Sequence, residues 1–282
     1  MKNKFLALLS TSFFMTSSFA DDRFANVEVK ADKVSDTVYM LTGAGGNIGV
    51  SAGQDGVLLV DDQYAPLAEK IVKTLETVSD KTPRYIINTH YHGDHTGSNE
   101  FFANNVGSSI FAHENVRIRL ASSEDAEPKS LPVITYQDGI KFYLNGDTIH
   151  VMHFPSAHTD GDSVVWFEQS DVLHMGDLFF NNLFPYIDLG AGGTIAGYIS
   201  AVEKLIVKID ETTKVIPGHG VLGNKADLQR FVDMIKETYA YVQEKKASGM
   251  SEDEILKIGL DAKWESWSWR FITEDRWIKT LY

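Results

Sequence analysis

Apolar and polar positions alternate in short blocks along this chain, and glycine-rich turns separate the blocks. Val38-Tyr39-Met40-Leu41, Asn47-Ile48-Gly49-Val50 and Gly56-Val57-Leu58-Leu59-Val60-Asp61 read as strands, divided by the turns Gly43-Ala44-Gly45-Gly46 and Gln54-Asp55-Gly56. A helix is expected from about Pro66, where Leu67, Ile71, Leu75 and Val78 recur at helical spacing. Arg84-Tyr85-Ile86-Ile87-Asn88-Thr89 has the pattern of a buried strand. The second half partly repeats this logic. Segments 148–154, 163–167 and 172–175 are strand-like, and a helix over 199–209 leads to the strand Lys214-Val215-Ile216. From Asp227 onward Leu228, Phe231, Val232, Ile235, Tyr239 and Val242 predict a helix. Ser251-Glu252-Asp253-Glu254 is a capping box for another. The glycine turn is no phosphate loop, because neither a GxGxxG nor a GxxxxGK string follows it.

The first twenty residues have a different character. Lys2 and Lys4 precede the apolar stretch around Phe5–Leu9 and Phe13–Met15, and Ser18-Phe19-Ala20 gives a small-x-small cleavage pattern. Segment 1–20 is therefore expected to be an export signal removed after Ala20, which places the mature protein in the periplasm or outside the cell. The stretch is too short and too interrupted by Ser and Thr to span a bilayer, which needs roughly 20 apolar residues. No stable membrane insertion is expected after its removal.

Composition narrows the chemistry. Of 282 residues, 43% are hydrophobic and 23% charged, as in a globular protein able to bury a large core. No cysteine is present, so an exported form has no disulfides, and thiolate is excluded both as metal ligand and as nucleophile. The formal charge of −13 becomes −15 once Lys2 and Lys4 are lost. Phosphate backbones are bound by Lys and Arg, so nucleic acid is a poor partner and a small-molecule substrate is expected.

The densest chemistry is His90-Tyr91-His92-Gly93-Asp94-His95, directly after a buried strand. Histidine is the commonest metal ligand and aspartate a hard oxygen partner. In such a run alternate residues can face one way while a turn brings the rest to the other side, so one loop can feed two adjacent ions. Gly93 is expected to allow the sharp backbone course. Of the remaining histidines, His113, His150, His153 and His174 lie in or beside predicted elements and are read as structural. Trp264, Trp267, Trp269 and Trp277, four of the five tryptophans, are read as packing of the tail on the main domain, with a substrate lid as the alternative.

The HxHxDH string resembles the signature of the metallo-β-lactamase superfamily, and further motifs follow in the family's order over about residues 35 to 225. His158 in Pro155-Ser156-Ala157-His158-Thr159-Asp160-Gly161-Asp162 resembles a third ligand of a first zinc. Asp177 in His174-Met175-Gly176-Asp177-Leu178 resembles the bridging carboxylate, and His219 in Pro217-Gly218-His219-Gly220 the last ligand of a second zinc. The resemblance implies two zinc ions per chain: His90, His92 and His158 on one, Asp94, His95 and His219 on the other, and Asp177 between them. It also implies an α/β fold, an αββα sandwich over 21–225, followed by a C-terminal helical extension over 226–282. In that setting the ions share a water and lower its pKa towards ~7, and Asp94 both binds zinc and orients the nucleophile.

Substrate is less determined than reaction. Export favours a β-lactamase-like hydrolase of a small amide or ester, with β-lactams among the candidates. Against this, the largest β-lactamase subclass has Cys at the position of Asp177 and a substrate-binding Lys at that of Phe180. Asp177 matches instead the glyoxalase II and lactonase pattern, so a lactonase or thioester hydrolase is the alternative. An iron-dependent oxidoreductase on the same fold is a further one.

Overall fold

The computed structural model describes residues 22–124 and 126–282, and the expected signal segment 1–20 lies outside them. Within these residues the chain forms β1 (Lys30–Lys33), β2 (Val38–Thr42), β3 (Ile48–Gly53), β4 (Gly56–Val60), α1 (Ala68–Leu75) and β5 (Pro83–Asn88). The short helices α2 (Gly93–Thr96) and α3 (Asn99–Phe101) follow, then β6 (Ser109–His113), α4 (Glu114–Ala121), β7 (Ile134–Tyr136), β8 (Gly139–Leu144) and β9 (Asp147–His153). The remainder is β10 (Ser163–Phe167), β11 (Val172–His174), α5 (Ile195–Lys208), β12 (Lys214–Ile216), β13 (Gly223–Asn224), α6 (Lys225–Ala247), α7 (Glu252–Ile258) and α8 (Glu274–Leu281).

The strands make two sheets. One runs in the order β1 to β7, antiparallel up to β4 and parallel beyond it. The other runs β13-β12-β11-β10-β9-β8, antiparallel except where β11 lies parallel to β12. Why the central strands read as unbroken apolar runs is visible in β4. Leu58 and Val60 point into the core between the sheets, with Ile87, Val151, Val165 and Ile216. Val57 and Leu59 point outward, beneath Leu67, Ile71 and Leu75 of the α1 region. Both faces are covered, so both sets of alternating positions must be apolar. On the far side of the second sheet Val164, Leu173 and Val215 pack against Val202 and Leu205 of α5 and Phe231 and Ile235 of α6. Helix, sheet, sheet and helix therefore stack as an αββα sandwich, the architecture expected.

Local chemistry sets several boundaries. The expected helix over 199–209 starts earlier, at Ile195, because Thr194 Oγ1 accepts a hydrogen bond from Gly197 N at 3.0 Å and caps it there. The Ser251 capping box is present, with Ser251 Oγ accepting from Glu254 N. Strands β1, β6, β7, β8 and β13 were not legible. β1 is Lys-Ala-Asp-Lys, an exposed edge with no apolar alternation, and β8 keeps most of its alternate side chains at the surface. Among the described residues no helix is long and apolar enough to cross a membrane. The C-terminal helices close the second sheet: Trp264, Trp267 and Trp277 are buried in the same cluster as α5 and α6.

Candidate metal centre

The seven predicted side chains converge where the ends of the two sheets meet. His90 and His92 follow β5, Asp94 and His95 lie in α2, and His158 lies in the loop between β9 and β10. Asp177 follows β11, and His219 follows β12. Backbone hydrogen bonds fix this seam: Ser163 N donates to Thr89 O at 2.8 Å, and Asn47 N to Gly218 O at 2.7 Å. Ligand atoms of His90, His92, His158 and Asp177 lie within 4.8 Å of one another, and so do those of Asp94, His95 and His219.

Each of four buried or half-buried imidazoles spends one nitrogen on a protein acceptor. Thr89 Oγ1 gives its hydrogen to Asp61 Oδ2 at 2.8 Å, so it accepts from His90 Nδ1 at 3.0 Å. His95 Nδ1 donates to Asp61 Oδ2 at 2.7 Å, His158 Nδ1 to Tyr186 O at 2.7 Å, and His92 Nε2 to Asp188 Oδ2 at 3.0 Å. The opposite nitrogens then all point inward, towards one another and towards Asp177. His92 Nδ1 and His158 Nε2 face each other at 3.0 Å. His90 Nε2, His95 Nε2 and Asp177 Oδ1 are buried with no hydrogen-bond partner. Buried polar atoms left this way are costly, and an outward donor with an inward lone pair is how histidine presents itself to a metal. The donor set, nitrogen and carboxylate oxygen without thiolate, fits zinc.

Asp177 is shared between the two groups. Its Oδ2 lies 3.8 Å from His90 Nε2 and 3.5 Å from His158 Nε2, and its Oδ1 lies 3.1 Å from His95 Nε2 and 3.4 Å from His219 Nε2. Charge follows the geometry. Burial pushes His90 well below the usual histidine range, with His95 adding to it, and burial takes His158 down to about 4. Burial acts on His95 and His219 as well, but there the carboxylates outweigh it. Asp177, Asp94 and Asp61 hold His95 well above the usual range, and Asp177 and Asp94 hold His219 at about 9. Asp177 stays far below the carboxylate range despite its burial, because His95 and His219 face it.

Two glycines permit this closeness. A Cβ on Gly46 would fall 2.1 Å from His95 Cε1, and one on Gly218 would fall 2.1 Å from Asp177 Oδ1. Gly93, expected to shape the turn, is different: a Cβ there meets nothing within 4 Å. The turn is a plain helical one, and the strained backbone lies at Asp61 (φ 65°) and Gln63 (φ 57°).

Asp61 and Asp188 were not singled out from the sequence. Asp61 ends the apolar run Val57–Val60, which is a usable signal; Asp188, which also accepts from Tyr91 Oη at 2.7 Å, has none. The other histidines lie outside both groups. His174 Nε2 donates to Asn47 O, His113 caps α4 and stacks on His153 at 3.6 Å, and His150 lies 3.5 Å from Glu168.

A cavity of about 470 Å³ opens over the centre. Its floor is His92, Asp94, Asp177 and His219, and its walls include Tyr64, Phe180, Tyr186, Trp269 and Phe271. Trp269 thus departs from the other tail tryptophans, which pack in the core.

The sequence matches the family described as the Metallo-beta-lactamase superfamily over residues 41–219. It is 30% identical over 188 residues to an uncharacterized protein of Mycobacterium leprae, covering 60% of this chain and 82% of that one. It is 26% identical over 155 residues to the hydroxyacylglutathione hydrolase of Pelagibacter ubique, covering 54% and 57%. In fold it is similar to the metallo-beta-lactamase from Pontibacter korlensis, with a TM-score of 0.64, 20% identity, and coverage of 74% of this chain and 99% of that one.

Proposed function

Starting from a chain that belongs to the metallo-beta-lactamase superfamily, we propose that this hydrolase is exported, holds two zinc ions, and cleaves a small amide, ester or thioester at its carbonyl carbon. The observation that carries the reading is the inward set of ligand atoms: His90 Nε2, His95 Nε2 and Asp177 Oδ1 are buried without a well-formed hydrogen bond, in two groups that Asp177 bridges, its Oδ1 lying 3.1 Å from His95 Nε2. Zinc bound by these residues would supply hydroxide near neutral pH and polarise a carbonyl oxygen. The chain's own residues supply position. Asp177 offers one oxygen to each group and keeps them in register. Asp94, a fifth exposed and on the cavity floor, turns Oδ2 towards His219 Nε2 at 3.4 Å and can accept a hydrogen bond from the attacking nucleophile. Asp61 and Asp188 hold the rings of His95 and His92 from behind, and the aromatic walls limit the water around the reacting bond.

Within this class, export favours β-lactams as substrates. A second reading, hydrolysis of an ester, lactone or thioester, is favoured by Phe180. Its buried ring stacks on His219 at 5.0 Å, where the resemblance to β-lactamases calls for a carboxylate-binding lysine. The similarity to a hydroxyacylglutathione hydrolase points the same way.

Metal analysis and a substrate panel test the proposal together. The purified protein should carry two zinc per chain and turn over at least one of a chromogenic cephalosporin, a homoserine lactone and S-lactoylglutathione. His95→Ala should lose one zinc and most of the turnover; unchanged zinc content and rate in that variant would sink the two-ion reading. Fast thioester or lactone cleavage without cephalosporin turnover selects the second reading. Stoichiometric iron with a visible absorption band would replace both with an oxidoreductase.

A further inference from the structure

The matched family region ends at His219, yet one wall of the cavity comes from beyond it. Trp269 and Phe271 lie between the 3-10 turn Ala262–Trp267 and α8. The segment is pinned to the main domain. Phe184 N donates to Trp267 O at 2.9 Å and Trp269 Nε1 donates to Phe184 O at 2.9 Å, while within the segment Trp269 N donates to Ile272 O at 3.1 Å. So held, the Trp269 ring stands 5.6 Å from His219 and 5.7 Å from Phe271, whose ring is 5.5 Å from Tyr186. Phe271 is nonetheless 47% exposed, a large apolar ring fixed at a cavity mouth rather than turned into the core.

Charge is distributed in the opposite sense. The ionisable side chains of the floor, His92, Asp94, Asp177 and His219, are those of the two ligand groups. Neither Lys nor Arg lines the cavity among the described residues. Arg276 packs on the rings of Phe271 and Tyr186, its guanidinium 4.2 and 5.2 Å from their centres, and Nη1 donates to Phe271 O at 3.0 Å. A charged substrate group laid on these rings would lose hydration, and the guanidinium beside them is already stacked on Phe271 and Tyr186 and bonded to Phe271 O, whereas a flat ring would gain stacked and edge contacts.

We infer that Trp269 and Phe271 are specificity-determining residues, and that the site takes an uncharged apolar group, aromatic by preference, beside the bond it cleaves. Only the identity of that bond rests on the proposed hydrolase function; the wall is a property of binding.

Two measurements separate the claims. In ligand-observed NMR titrations of the zinc-loaded protein, N-benzylacetamide should bind about tenfold tighter than N-propylacetamide and than the anionic N-acetyltaurine, a discrimination of the size apolar pockets achieve. Phe271→Ala and Trp269→Ala should each weaken the benzyl compound at least about threefold, with zinc content unchanged. Phe271 is exposed enough that its variant should fold even if the tryptophan variant does not. Equal affinities in the parent protein, preference for the sulfonate, or unchanged benzyl affinity in Phe271→Ala would overturn the inference. In the second measurement, S-phenylacetyl, S-acetyl and S-succinyl thioesters of N-acetylcysteamine are compared by kcat/KM. The phenylacetyl to acetyl ratio should fall about tenfold in Phe271→Ala. If no thioester is cleaved while the benzyl preference holds, thioester hydrolysis fails and the wall stands. If all are cleaved alike and no benzyl preference exists, the wall fails and the hydrolase stands.

Discussion

Removing the Asp61 carboxylate should cost both stability and metal affinity, although Asp61 belongs to neither ligand group. Three donors end on it: Thr89 N at 2.7 Å, Thr89 Oγ1 at 2.8 Å and His95 Nδ1 at 2.7 Å. All are buried, so Asp61→Ala leaves each without an acceptor, at roughly 1–3 kcal/mol apiece. Relief of the carboxylate's own burial and local relaxation offset part of that, leaving about 3–5 kcal/mol by the same accounting. For a chain of this size that is a fall in melting temperature on the order of 6–20 °C. Losing the partner that fixes the His95 ring should also weaken metal binding by roughly 10–100-fold, and more in the group of Asp94, His95 and His219 than in the other. Melting followed by circular dichroism, and zinc titration against a competing chelator, read the two effects separately. If Asp61→Ala melts within a degree or two of the parent and retains both zinc ions with unchanged affinity, Asp61 does not hold the His95 ring for the metal.

Three other outcomes follow from particular contacts. Gly46→Ala should lower zinc affinity measured by chelator competition, because the new Cβ would lie 2.1 Å from the His95 ring and must displace it. Trp277→Ala removes a fully buried side chain whose Nε1 donates to Thr238 Oγ1 at 3.0 Å. It should destabilise the fold by about 3–5 kcal/mol in denaturant titration while leaving zinc stoichiometry at its parental value. Expressed in a Gram-negative host, the full chain should appear in the periplasmic fraction with a mass that begins at Asp21; an intact Met1 terminus would show that the signal reading is mistaken.

How much of this was legible in the sequence depends on how local each determinant is. His90, His92, Asp94 and His95 sit within six residues after an apolar run, so their proximity needs no tertiary knowledge. His158, Asp177 and His219 are brought to the same place by two sheets, and family resemblance, rather than spacing, pointed to them. The αββα layering was legible because β4 and its neighbours are apolar on both faces. Asp188 was not, since its proximity to His92 depends on the fold of a loop 96 residues away. Trp267 and Trp269 stand two positions apart, one buried and the other at the cavity. They lie where the 3-10 turn gives way to irregular chain, so no periodic pattern tells their directions apart.

The seam between the sheets has a consequence for how the protein ages and fails. Each ligand group draws on both sheets: His90 and His92 from one with His158 and Asp177 from the other, and likewise Asp94 and His95 with His219. Any ion held there would act as a rivet at the loop end of two sheets that otherwise meet through the apolar core between them and a few backbone hydrogen bonds. In a chain with no cysteine, such ions would be cross-links that a chelator removes and a reductant cannot. Stripped of ions, the sandwich should loosen first along this seam, at the loops, while the helices on its outer faces stay closed.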